Sequence, residues 1–222
     1  RSTLFPYTTL FRSRTGPKAG AALDAITSTT GETVRAKQFV FACGPWLPKV
    51  FPDVVGTKIV PTRQEIFFFA PEAGDMRFDP PQMPAWVDAD EPGVPYGFPS
   101  LETRGFKLAI DAHGPRIDPD TNDRIISQEG LKQVRAYLAR RFPGVAKRPL
   151  AESRVCQYEN SDNGDFIIDK HPKWENVLIV GGGSGHGFKH GPAVGRYVAE
   201  LTTGKLAKAE TRFALTAHKT QG

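Results

Sequence analysis

The stretch NVLIVGGGSGHGFKHGPAVG, residues 176–195, constrains the chain more than any other. Its opening, NVLIV, is a short apolar run and predicts a buried strand. Glycines follow at 181, 182, 183, 185 and 187, and a helix is predicted from about 192 to 203, closed by Gly204 at the C′ position. Strand, glycine loop and helix in succession let a backbone approach a ligand closely. They present N–H groups to it and aim the positive end of a helix dipole at it. Taken alone, the loop signals either a bound anion or polarised carbonyl, or a glycine-rich turn that packs tightly.

A second apolar run, RAKQFVFAC, ends in the sharp exit Gly44-Pro45-Trp46. Residues 21–27 and 35–43 read as two strands joined through TTGET, 29–33. FVFACG and VLIVGGGSG both look like central strands ending in glycine and are expected to share a sheet. Between them, TKIVPTRQEIFFFAPE supplies two extended segments around Pro61. Residues 71–95 read as loop with a short strand at 85–87, and further strands fall at 96–98 and 106–110. IDPDTNDR, 117–124, is a polar turn cluster. Ser127 reads as an N-cap, with Leu131, Val134, Leu138 and Phe142 on one helical face and Phe142-Pro143-Gly144 as the stop. Strands are expected again at 150–158 and 166–168. Two clear helices among many strands give α+β, with residues 59–154 inserted as a second domain.

The first residues do not fit this picture. Thr3 to Ser13, TLFPYTTLFRS, reads as the in-frame translation of a DNA that resembles a standard short-read sequencing adapter. Residues 1–13 are therefore expected to be adapter-derived and are left out of fold reasoning. On that reading the natural N-terminus is missing. The remaining bulk properties are ordinary: 39% hydrophobic, 24% charged, net charge +5, with basic residues scattered, so nucleic acid is not expected. Cys43 and Cys156 are far apart and form neither a disulfide framework nor a zinc pattern, and no metal is expected. A reducing cytoplasm is the default expectation. No apolar run approaches the ~18 residues that span a bilayer, so no membrane partner is expected.

SGHGFK, DFIIDKHP, YGFPS, FKLA and RIDPDT together resemble the monomeric-sarcosine-oxidase-like flavin amine oxidases, within the D-amino-acid-oxidase-like FAD oxidoreductases. The motifs stand in family order across residues 34–201. The resemblance implies a Rossmann-like FAD-binding domain, here incomplete, with an inserted antiparallel-sheet substrate domain. The boundaries that follow are 14–56 with 155–222 for the first and 57–154 for the second. The family's opening G-x-G-x-x-G fingerprint is absent, and the loop at 181–187 is no substitute, because in the family it faces the flavin ring.

The resemblance also implies roles. Cys156, in SRVCQYEN, matches a cysteine that forms a thioether to the flavin; from the residues alone it reads as a buried free cysteine on a strand. Arg154, two residues away, is a candidate to hold its thiolate. Cys43 reads as core packing. Gly183, Ser184, Gly185, His186, Gly187, Phe188 and Lys189 would lie against FAD, with Lys189 near its pyrimidine end and also on the substrate carboxylate. His186 is assigned no proton transfer. Lys107, in GFKLAID, matches the lysine that activates dioxygen, and strand alternation sends its side chain to the face opposite Phe106 and Leu108. Tyr96 and Tyr158 match tyrosines that line the substrate site. Asp111 departs from the family, whose sarcosine oxidases carry a histidine there; an acid would attract a cationic amine and put sarcosine itself in doubt. The expected activity is FAD-dependent oxidation of the C–N bond of a small amine or N-methyl amino acid, with dioxygen reduced to peroxide. The alternatives are a same-fold dehydrogenase using another acceptor, or an inactive fragment of either.

Overall fold

The computed structural model describes residues 20–28 and 30–221. The segment 1–13 and Thr29 of the predicted turn lie outside them. The described chain divides into two compact units, one comprising the residues up to Pro61 together with 158–222, the other residues 62–157. The chain crosses between them within β4 and again within β8.

The first unit begins with a small hairpin, β1 (Ala25–Thr27) against β2 (Thr33–Arg35), closed by Gly31 at φ +91. β3 (Phe39–Phe41) follows but belongs to another sheet. The single strand expected over 35–43 is thus broken, at a bend over Lys37 and Gln38. The bend is held by Asn176, whose amide nitrogen donates to the carbonyls of Lys37 (3.1 Å) and Leu23 (2.9 Å). Two single-turn helices come next, α1 (Leu47–Val50) and α2 (Pro52–Val55).

β3 shares a sheet with β10 (Val177–Gly181), as the sequence predicts; the two pair in parallel, Phe39 opposite Val177 and Phe41 opposite Ile179. β9 (Ile167–Lys170) adds antiparallel on the other side of β10. This sheet is covered on both faces, which explains why NVLIV is apolar throughout. Val177 and Ile179 join Phe39, Phe41, Leu47, Val55 and Ile59 in one core. Leu178 turns the other way and packs with Ile168 and Leu201. Leu201 comes from α5 (Gly191–Thr202), which ends at Thr203 with Gly204 at φ +75, the predicted C′ glycine.

The second unit is a five-stranded sheet in the order β5–β6–β7–β4–β8. β4 (Val60–Phe69) is one continuous strand, not two segments around Pro61. Its pairing with β7 (Phe106–Ile110) begins only at Ile66, so the missing N–H of Pro61 removes no bond from that ladder. β5 (Trp86–Val87) and β6 (Pro95–Phe98) extend the sheet on one side, and β8 (Leu150–Asn160) on the other. Helix α3 (Gln128–Arg141) covers one face, started by Ser127, whose Oγ accepts from the Gly130 amide at 2.9 Å. Short α4 (Pro143–Ala146) follows at the predicted stop. Phe67, Phe69, Phe106 and Leu108 meet Val134, Tyr137 and Leu138 of α3 in the core, each almost fully buried and contributing about 1.5–3 kcal/mol on the usual scale for large apolar side chains. Among the described residues no helix is long and apolar enough to cross a membrane.

Candidate active site

In the second unit the candidate residues Lys107 and Tyr96 sit on the sheet face that α3 leaves uncovered. Phe106 and Leu108 are fully buried on the helix side, and alternation turns Lys107 away from them. Residues directly opposite in a ladder share a face. Phe68 and Phe98 lie opposite Lys107, and Ile66 and Tyr96 lie opposite Ala109. The Lys107 ammonium is therefore set among rings, 4.7 Å from the centre of Phe98 and 5.5 Å from that of Tyr96. Burial holds its pKa below the usual lysine range, with the charge of Arg104 acting the same way and a Cys156 thiolate acting against it. Phe98 was not singled out from sequence; its signal is its place in PYGFPS, two residues after Tyr96.

Cys156, half-buried on β8, is free and lies within electrostatic reach of Lys107. The cation expected to hold its thiolate, Arg154, is engaged elsewhere. It pairs with Glu152, whose carboxylate is also gripped by Arg104 at 2.9 and 3.1 Å. Lys107 is the ammonium whose electrostatics couple to the thiol. Asp111 follows β7 directly. Its Oδ1 is buried without a hydrogen bond and stands 3.9 Å from Nε2 of His113, itself at φ +45.

In the first unit, β10 runs into a turn with Gly182 at φ +75, Ser184 at +44 and Gly185 at +78. The ring of Tyr158 lies so close that a Cβ on Gly185 would come within 2.3 Å of it. Ser184 is buried; its Oγ donates to the Gly182 carbonyl and accepts from the Ser161 amide, both at 3.1 Å. Its hydroxyl thus builds the turn. His186 bonds through Nε2 to the Gly164 carbonyl at 3.0 Å. A short 3-10 turn over Gly187–His190 intervenes before α5, so the long helix does not start at the glycine loop itself. Lys189 is exposed on that turn, with Nζ donating to the His186 carbonyl at 3.2 Å, and Phe188 is fully exposed.

Glu159 was missed, because an acid in the run ENSDNGD reads as solvated. In the structure it backs the glycine turn. Its carbonyl accepts from the Ser184 amide at 3.2 Å and its Oε2 is buried without a partner. Burial pushes its pKa up to about 7, with the amides of Gly183 and Gly182 drawing it back. Cys43 packs against the first unit's core, as expected, and its thiol is pushed up to about 11 by burial and then by the Glu159 charge.

Residues 8–201 match the family described as DAO, FAD dependent oxidoreductase. The chain belongs to that family. It is 35% identical over 198 residues to monomeric sarcosine oxidase of Bacillus sp. (strain NS-129), covering 86% of this chain and 50% of that protein. Peroxisomal sarcosine oxidase of Mus musculus is 29% identical over 185 residues, covering 81% and 47%. Among solved structures, fructosamine oxidase (Amadoriase II) of Aspergillus fumigatus superposes with a TM-score of 0.72 at 22% identity, over 87% of this chain and 48% of that one. That likeness bears on the fold. The chain spans about half the length of the curated relatives it matches.

Proposed function

We propose that this chain carries the substrate-side half of a flavin amine oxidase, one that oxidises the C–N bond of a small amine or N-methyl amino acid and returns the electrons to dioxygen. The observation that supports it most is the half-buried ammonium of Lys107 among Phe98 and Tyr96, with the Cys156 thiol in electrostatic reach. The residues fit a flavin. A thiol beside a fixed cation is suited to covalent attachment, and the aromatic, cation-bearing sheet face is suited to a flat conjugated ring. Bound there, the flavin would supply the hydride acceptor and the route to oxygen.

The roles of the chain's own groups follow. Cys156 would tether the ring. Lys107 would hold positive charge where negative charge develops as oxygen accepts its first electron. Its poor hydration strengthens that effect, since rings and strand shield it from water. Tyr96 would wall the substrate site, and the Oδ1 of Asp111, which has no hydrogen bond, would orient a cationic amine. Within the first unit, the Gly183–Lys189 loop would lie against the flavin, Lys189 serving as a cation for an anionic group, and Tyr158 would line substrate. A reducing cytoplasm suits the two free cysteines.

The test is a panel of amines and N-methyl amino acids offered to the complete gene product with FAD, monitored for peroxide. Amine-dependent peroxide is the expected result. Flavin reduced by an amine but stable in air would replace the oxidase with a dehydrogenase using another acceptor, and no reduction by any amine would overturn the proposal.

A further inference from the structure

Three consecutive amides, those of Gly182, Gly183 and Ser184, approach a single residue. Ser184 N donates to the main-chain oxygen of Glu159, and the amides of Gly183 and Gly182 lie at its carboxyl. The fit leaves no room to spare. A Cβ at Gly183 would come within 3.2 Å of Oε1, and one at Gly181 within 3.0 Å of Oε2 and 2.7 Å of the Leu47 side chain. Oε2 ends among Leu47, Ile59 and Gly181, with no polar partner. Nothing in the catalytic scheme above uses this group.

We propose that Glu159 is the positioning residue of the glycine turn, its buried carboxyl clamping Gly181–Ser184 in shape and releasing them when it ionises. The clamp itself needs no cofactor; its consequence for a reaction rests on the flavin reading above, because the turn sets where the Gly185–Lys189 loop stands. The chemistry is that of a buried acid. As the neutral acid, Glu159 offers one oxygen to the amides and leaves Oε2 in apolar surroundings without a net charge. As the carboxylate it places charge beside Leu47 and Ile59, where two amides compensate it only in part. Among the described residues, the Cys43 thiol, from the segment after β3, feels its charge and titrates far higher; Leu47, Ile59 and the glycines bring it no charge.

The sign of the effect is set by linkage. A carboxyl at its ordinary 4.5 when exposed and about 7 when packed favours the closed turn fully below about 4.5, and loses that contribution as pH rises to about 7. Amide hydrogen exchange of Gly182 and Gly183 in the 222-residue chain, corrected for the intrinsic rate, reads the turn directly. Protection is expected to fall by up to about tenfold per pH unit across that window and then to level. Glu159→Gln, which keeps the shape and an acceptor oxygen but cannot ionise, should retain protection at every pH. Glu159→Ala should show low protection at every pH with no slope. Cys43→Ser should keep the native slope. A flat native profile, or an unchanged slope in Glu159→Gln, would overturn the proposal. Failure of the complete gene product to take up flavin would remove the flavin reading while leaving these slopes to judge the clamp.

Discussion

The Lys107 ammonium points between two rings, 4.7 Å from the centre of Phe98 and 5.5 Å from that of Tyr96, on the sheet face opposite the helix. Aromatic faces attract a cation but hydrate it poorly, so the fold keeps the charge at a cost in solvation. A side chain held at such a cost separates stability from function.

Lys107→Met tests that separation. Burial lowers the lysine's folded pKa, so the charged form is less favourable in the fold than in the open chain. Stability from this site is therefore lower at neutral pH and is recovered as pH rises through the folded pKa toward 10.5. Replacing the ammonium with an isosteric apolar group should leave the melting temperature at pH 7 unchanged or raised. In the complete, flavin-loaded protein the same change should slow reoxidation by dioxygen about 10²–10³-fold, the scale for losing one electrostatic stabiliser, with amine-driven reduction much less affected. Stopped-flow traces of the two half-reactions separate these effects; equal slowing of both would show that Lys107 does not act on oxygen.

Asp111→Asn removes a carboxylate whose Oδ1 is buried and without a hydrogen bond. The KM for a cationic amine should rise about two- to fivefold, the worth of a partly exposed charge pair, while a zwitterionic N-methyl amino acid should lose less or gain. The difference should shrink in high salt, since the side chain is 40% exposed and open to screening. Identical shifts for both substrates would place Asp111 outside the substrate's reach.

How much of this was readable in the residues depends on how local the cause was. β7 was expected at its observed bounds because Phe106, Leu108 and Ile110 alternate with polar or small neighbours across a half-covered sheet. Ser127 announced α3, and the two apolar runs ending in glycine announced that β3 and β10 share a sheet. The misses have tertiary causes. Asn176, about 140 residues along the chain, bends the backbone at Lys37 and splits the strand expected there. Arg154 is drawn to Glu152, a partner shared with Arg104 from another strand connection. Glu159 stands in an acidic run that reads as solvent-facing, and only the packing of Leu47 and Ile59 makes it a buried acid. The family resemblance pointed at Cys156 and Lys107 one by one; their electrostatic coupling depends on both strands sharing one sheet.

Gly185→Ala probes the contact between the glycine turn and Tyr158. The backbone there is at φ +78, and the new Cβ would lie 2.3 Å from the ring. Left-handed strain adds about 1 kcal/mol and overpacking about 1–3 kcal/mol more. Denaturant unfolding should show a loss of that order. Tyr158→Ala in the same chain should restore the overpacking part and leave the strain, so the double-mutant cycle should give a favourable coupling of about 1 kcal/mol or more. Additive losses would mean that the ring is not what limits Gly185.

Cys156 and Cys43 are both free and both half-buried, yet they should behave differently toward a flavin. The Cys43 thiol is pushed up to about 11 by burial and then by the Glu159 charge, so at neutral pH it stays protonated and unreactive. Cys156 lies within electrostatic reach of the Lys107 ammonium, on the strand beside β4. In the complete gene product loaded with FAD, acid denaturation should therefore leave yellow colour on the polypeptide, and the intact mass should carry one FAD. Cys156→Ala should release the flavin on denaturation and lose the mass increment. Cys43→Ala should keep both. If the native protein gives up all of its flavin in acid, Cys156 is a strand residue beside a lysine, and the chain's flavin is held without a covalent bond.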